Sequence, residues 1–213
     1  MKIKKFTFNE FQENTYIIYD KTKECAIIDP GCNSRSEKNM IVDFIRQEKL
    51  TPVKLINTHC HIDHVFGNDF INKEFNLKLH INNKEMDNLE MAKKYSEIYD
   101  IDYTPYKDEI KFIKEDEKVL FGENELNIIF TPGHSSGHIS LVSEKQKIII
   151  SGDVLFRESI GRTDLPGGDF NTLIKSIKEK IFKYPEEYII LPGHGPETQI
   201  NHEKNNNPFL INH

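Results

Sequence analysis

Short runs rich in Ile, Phe, Tyr and Thr dominate the first third of the chain. Lys2–Phe8, 15–19 and Glu24–Ile28 are such runs, separated by turn residues, and each predicts a strand. The third runs into Asp29-Pro30-Gly31, a chain-turning sequence. The period then changes. Met40, Ile41, Phe44 and Ile45 recur at helical spacing behind Ser36, the expected N-cap. Further along, 52–57 predicts a strand, 63–75 a helix, 77–81 a strand and 83–100 a second helical stretch, with 100–108 irregular. Strands are expected at 110–113, Lys118–Phe121, 125–130, Ile139–Ser143 and 147–151. An amphipathic helix over 169–184 carries Leu173, Ile174, Ile177, Ile181 and Phe182, and Asp169 is placed to cap it. A last buried strand falls at 188–191, and the tail from Asn201 reads as polar. Tight strand–strand connections favour antiparallel or mixed sheets. The order of elements fits two sheets, each backed by helices, an α+β class.

Composition narrows the picture. At 213 residues, one domain over 1–213 is expected. A net charge of −6 argues against a nucleic-acid binder, which shows a basic stripe. No apolar run approaches a membrane span, and the N-terminus lacks the apolar core of a secretory signal. Cys25, Cys32 and Cys60 are odd in number and lack CxxC spacing, so a reducing cytoplasm is the expected setting.

The chemistry sits in three histidine clusters, each following an apolar strand: Thr58-His59-Cys60-His61-Ile62-Asp63-His64, Thr131-Pro132-Gly133-His134 and Pro192-Gly193-His194-Gly195. Ser151-Gly152-Asp153 lies between the last two. In an extended segment His59 and His61 face one side, and Cys60 points away as an inert buried thiol. Four such donors within six residues are costly to bury unless a divalent metal takes them. With His134, Asp153 and His194 the count is seven, which suits two metals sharing one carboxylate. His80, His138, His202 and His213 read as structural or surface residues. The two strand ends that lead through Thr58 to His59 and through Thr131 to His134 echo one another.

His59-Cys60-His61-Ile62-Asp63-His64, followed in order by His134, Asp153 and His194, resembles the metallo-β-lactamase superfamily, as does Asp29-Pro30-Gly31. The resemblance spans nearly the whole chain. It implies a four-layer αβ/βα sandwich with a dinuclear site. Gly161-Arg162-Thr163-Asp164-Leu165-Pro166-Gly167-Gly168 and Asn207-Pro208-Phe209-Leu210 resemble the short bacterial glyoxalase II group, the hydroxyacylglutathione hydrolases, without the C-terminal helical domain of the longer enzymes. By that resemblance His59, His61 and His134 hold one metal, Asp63, His64 and His194 the other, and Asp153 bridges them. Asp29 then orients a ligand histidine, and Asp63 doubles as the catalytic proton acceptor. The implied reaction is thioester hydrolysis of an S-2-hydroxyacylglutathione such as S-lactoylglutathione, with two Zn ions, or Fe or Mn, activating the water. The partner is a small thioester; neither nucleic acid nor membrane is expected, and the oligomeric state is open. Arg162 is the candidate anion anchor, against a surface pair with Asp164 or Asp169. The chief alternative is a persulfide dioxygenase with one Fe(II) held by two His and one Asp. Those enzymes continue Gly-His with Asp-Tyr, where this chain has Gly195-Pro196. An RNA-processing nuclease of the superfamily would need an inserted domain and a basic channel.

Overall fold

The computed structural model describes residues 1–211; His213, read above as part of the tail, lies outside the described residues. The chain forms two compact units, one of Met1–Ile113 with Leu120–Glu125, the other of Lys114–Val119 with the chain from Leu126 onward.

The first unit is built on a six-stranded sheet of β1 (Lys2–Phe8), β2 (Glu13–Tyr19), β3 (Glu24–Ile28), β4 (Thr51–Ile56), β5 (Leu79–Ile81) and β6 (Ile110–Phe112), in that spatial order. β1, β2 and β3 pair antiparallel through short turns, and β3 to β6 pair parallel. Parallel neighbours need long crossovers, and helices supply them: α1 (Arg35–Glu48), α2 (Ile62–Val65), α3 (Asn68–Phe75) and α4 (Met86–Ile98). Ile17, Ile27, Leu55 and Leu79 from the sheet pack with Ile41 and Ile45 of α1 and Ile71 of α3.

Two expectations change here. The cap of α1 is Ser34, not Ser36, because Glu37 stands three residues after Ser34. Ser34 Oγ accepts the Glu37 amide while the Glu37 carboxylate accepts the Ser34 amide, a reciprocal pair. The helix expected over 63–75 is two helices, broken at Gly67. The Gly67 amide donates to Pro30 O, and a Cβ there would stand 2.6 Å from that oxygen.

The second unit holds a mixed sheet in the order β14 (Thr198–Gln199), β13 (Ile189–Pro192), β10 (Ile148–Gly152), β9 (Ile139–Ser143), β8 (Asn124–Phe130) and β7 (Lys118–Phe121). A small hairpin joins β11 (Leu155–Phe156) to β12 (Ser159–Ile160). The helix expected over 169–184 is α5 (Phe170–Ser176) continued by a π-turn at Ile177–Ile181, and Asp169 caps it by accepting the Thr172 amide. Leu173, Ile177 and Ile181 pack with Ile149 and Ile190. The polar tail is folded rather than loose, with α6 (Ile200–Asn206) and α7 (Pro208–Ile211). Its anchor is the buried Glu203, whose carboxylate accepts from the Glu158 amide, Thr198 Oγ1 and Asn207 Nδ2. Among the described residues no helix is long and apolar enough to cross a membrane.

Candidate metal centre

In the first unit the donors follow β4. The chain leaves that strand through Asn57 and Thr58, and the turn is organised by Asp29 at the end of β3, whose φ of 49° is left-handed. The Asp29 carboxylate accepts from the Thr58 amide (2.7 Å), Thr58 Oγ1 (2.6 Å) and Asn57 Nδ2 (3.3 Å). Since the Thr58 hydroxyl proton goes to Asp29, its oxygen is the acceptor for His59 Nδ1–H at 3.1 Å. That leaves His59 Nε2 with its lone pair outward, the tautomer a metal requires. Asp29 Oδ2 also lies 3.3 Å from His64 Nδ1, so the same carboxylate faces a second ring. His59 and His64 are fully buried with ring centroids 4.1 Å apart, and His61 stands edge-on to His59 at 4.8 Å. Asp63 Oδ2 lies 3.5 Å from His64 Nε2. His61 is the extended residue just before α2, and Asp63 and His64 lie in the first turn of that helix.

Two residues outside the motif brace this half. Asn9 Nδ2 donates to Asp63 O and Gly31 O, both at 3.0 Å, and Glu37 in turn accepts the Asn9 amide at 2.7 Å. Glu13 is fully buried 3.9 Å from His64 Nδ1 and accepts from Thr15 Oγ1. Burial pushes its pKa well above the ordinary glutamate range, against the partial relief of His64. Cys60 is buried, its thiol pushed up by desolvation and its amide donating to Glu85. A groove of about 530 Å³ in this unit is walled by Phe11, Phe66 and Tyr99 with Glu10, Asp100 and Asp102 on its lining, and no Lys, Arg or His among its lining residues.

In the second unit, His134, Asp153 and His194 stand in the loops after β8, β10 and β13. Asp153 Oδ2 lies 3.6 Å from His134 Nε2 and 3.4 Å from His194 Nε2. His134 Nδ1–H donates to Arg162 O at 2.8 Å, so again Nε2 carries the lone pair. Gly161 allows this fit: a Cβ there would overlap the Asp153 carbonyl oxygen and stand 3.0 Å from His134 Nδ1. Arg162 itself forms a two-point pair with Asp164, Nε to Oδ1 at 2.7 Å and Nη2 to Oδ2 at 2.8 Å. That guanidinium holds Asp164 down at about 2. His138, read as structural, accepts the Asp153 amide on Nε2 at 3.1 Å. Its spacing of four from His134 was the available signal. His80 bonds the Leu55 carbonyl, and His202 pairs with Glu158.

These distances suit a divalent ion. Donors ~2.0–2.1 Å from one tetrahedral centre stand about 3.3–3.4 Å from each other. The 3.4–3.6 Å separations of Asp63, His64, His134, Asp153 and His194 fall close to that and are long for direct hydrogen bonds. Among the described residues, the side chains that could gather around a metal are drawn from the same seven.

The model of the metallo-β-lactamase superfamily matches residues 8–194. A probable metallo-hydrolase of Bacillus subtilis, YqgX, is 35% identical over 99% of this chain and 98% of its own length. Hydroxyacylglutathione hydrolase GloC of Haemophilus influenzae is 34% identical over 99% and 98%. The crystal structure of the BLEG-1 B3 metallo-β-lactamase is 34% identical with a TM-score of 0.89, covering 98% of this chain and 99% of that one. TTHA1623 in a di-iron-bound form is 30% identical with a TM-score of 0.87, covering 97% and 99%. The α+β fold is theirs, the His/Asp donor set points to divalent metal, and the chain belongs to the metallo-β-lactamase superfamily.

Proposed function

We propose that this metallo-hydrolase is a thioesterase of glyoxalase II type, acting on S-2-hydroxyacylglutathiones such as S-lactoylglutathione. The carrying observation is the donor set: carboxylates spaced from imidazoles as around one ion, with His59 and His134 held in the tautomer that offers Nε2. The GloC relative supports the substrate class. His59, His61 and His134 would hold one ion, Asp63, His64 and His194 the other, with Asp153 between them. When bound, two such ions lower the pKa of a shared water towards ~7 and polarise the carbonyl it attacks. The residues do the rest. Asp29 fixes the His59 hydrogen bond and faces His64. Asp63, held through its backbone by Asn9, accepts the proton of the attacking water on its carboxylate. The thiolate leaves without a protonating residue. Arg162, whose guanidinium pairs with Asp164 at the surface, would have to exchange that pair to hold the glutathione carboxylates.

The test combines elemental analysis of protein reconstituted with Zn, Fe or Mn with S-lactoylglutathione hydrolysis and oxygen uptake on glutathione persulfide. Two metals per chain with thioester turnover and no oxygen uptake is expected. One iron with oxygen consumption would replace this reading with the dioxygenase. The likeness to BLEG-1 favours a second reading, β-lactam hydrolysis, and a chromogenic cephalosporin in the same assay separates it.

A further inference from the structure

His138 lies in the loop between β8 and β9, fully buried, and no cluster motif includes it. Its hydrogen bonds have only one consistent direction. A backbone N–H can only donate, so the Asp153 amide at 3.1 Å requires the lone pair on His138 Nε2. The ring proton is then on Nδ1 and goes to Thr131 Oγ1 at 3.1 Å. Thr131 Oγ1 also shares a hydrogen bond with Ser140 Oγ at 2.9 Å. A buried, hydrogen-bonded chain of this kind is a rigid support.

Asp153 needs one. β10 leaves its pairing with β13 by a register shift between Ile150 and Gly152, and Gly152 has a φ of 49°. Asp153 therefore stands just past the regular ladder, and its amide goes to the imidazole instead. On the other side its carbonyl abuts Gly161. With amide and carbonyl both fixed, the Cα–Cβ direction of Asp153 is fixed as well, and with it the carboxylate lying near His134 and His194.

We infer that His138 is a positioning residue for the Asp153 carboxylate, setting how that group meets the metal, a role that rests on Asp153 being a ligand. It touches no substrate and acts only through the Asp153 backbone. Replacement by Leu removes the acceptor at similar bulk, whereas Gln can return an acceptor oxygen near the place of Nε2.

The experiment loads parent, His138→Leu and His138→Gln with Mn(II) and reads metal affinity and the electron paramagnetic resonance of exchange-coupled pairs, alongside kcat and KM. Loss of a partner that orients a ligand costs ~10–100-fold in metal affinity. His138→Leu should lose that much affinity for the weaker-bound metal and lose the coupled signal at stoichiometric loading. Its kcat should fall with KM within about twofold, and His138→Gln should recover most of both. His138→Leu with parental affinity and coupling would overturn the inference. So would a His138→Gln protein that is folded yet as defective as the Leu variant. Should His138→Leu fail to fold, Thr131→Val, which removes the Nδ1 acceptor, takes its place: weakened affinity and coupling support the role, and parental values overturn it. A parent that binds a single uncoupled metal sinks the dinuclear reading alone. Asp153 is then tested as that metal's ligand, and an unchanged single-metal affinity in His138→Leu would overturn the positioning role.

Discussion

Gly161→Ala is a one-carbon test of the second half of the centre. The Gly161 φ lies outside the left-handed region, so the backbone accepts alanine without conformational penalty and the cost is steric. The added carbon would overlap the Asp153 carbonyl oxygen and crowd His134 Nδ1 at 3.0 Å. Ordinary contact between such atoms is about 3.5 Å, so backbone must move by roughly 1 Å. Both neighbours belong to donor residues, one carrying the carboxylate and the other the ring it faces. Overpacking of this kind costs ~1–3 kcal/mol. For a chain of this size each kcal/mol shifts Tm by about 2–4 °C, so a drop of roughly 2–12 °C is expected by calorimetry of the metal-free protein. Metal titration should show a separate loss, because the Asp153–His134 spacing has changed. A Gly161→Ala protein with Tm within a degree of the parent and unchanged metal affinity would refute the close approach on which the argument stands.

Asp153→Ala should lose the weaker-bound metal and at least ~10–100-fold in kcat; full occupancy with near-normal turnover by elemental and kinetic analysis would reject the ligand assignment. Arg162→Ala should raise KM for a thioester with carboxylates on its thiol half, with little change in kcat and no effect on an uncharged analogue. The same variant should raise the Asp164 pKa from about 2 towards the ordinary aspartate range, read by NMR. Because burial raises the Glu13 pKa, its contribution to folding is present at low pH and lost as pH rises through that elevated pKa. Glu13→Gln should therefore flatten the decline in stability of metal-free protein as pH rises above the ordinary glutamate range, and a parallel decline in urea titrations would contradict this. The buried thiols, with Cys25 pushed up to about 12, should react with a disulfide reagent only after unfolding.

The donor clusters were legible because metal ligation needs particular side chains at strand ends, and that constraint is local in sequence. Strands of five to seven residues were equally plain, and β1 and β3 fall where their apolar runs lie. What escaped depended on partners far along the chain. The break at Gly67 answers to Pro30, 37 residues away in sequence, so helical periodicity over 63–75 gave no sign of it. The two-residue strands β11 and β12 are too short to show a period. The tail read only as polar, without a helical period, because its helices are held by a buried carboxylate, Glu203, and few apolar residues. His138 passed as structural because its spacing of four from His134 does not by itself point to the Asp153 amide 15 positions later. The echo of Thr58 and Thr131 acquired a meaning the sequence withheld: Thr58 accepts from the histidine next to it, and Thr131 from one seven residues on.

Glu37 looks like an ordinary helix-capping residue, the kind that protein engineers exchange freely when reshaping a surface. Yet its two carboxylate oxygens hold the amides of Asn9, Asn33 and Ser34, and the Asn9 side chain holds the backbone of Asp63. Tolerance to substitution at this position is therefore set by metal retention as much as by helix stability. A library scored by solubility would accept changes at Glu37 that a library scored by metal content rejects, and the gap between the two scores measures how far the centre reaches into the scaffold.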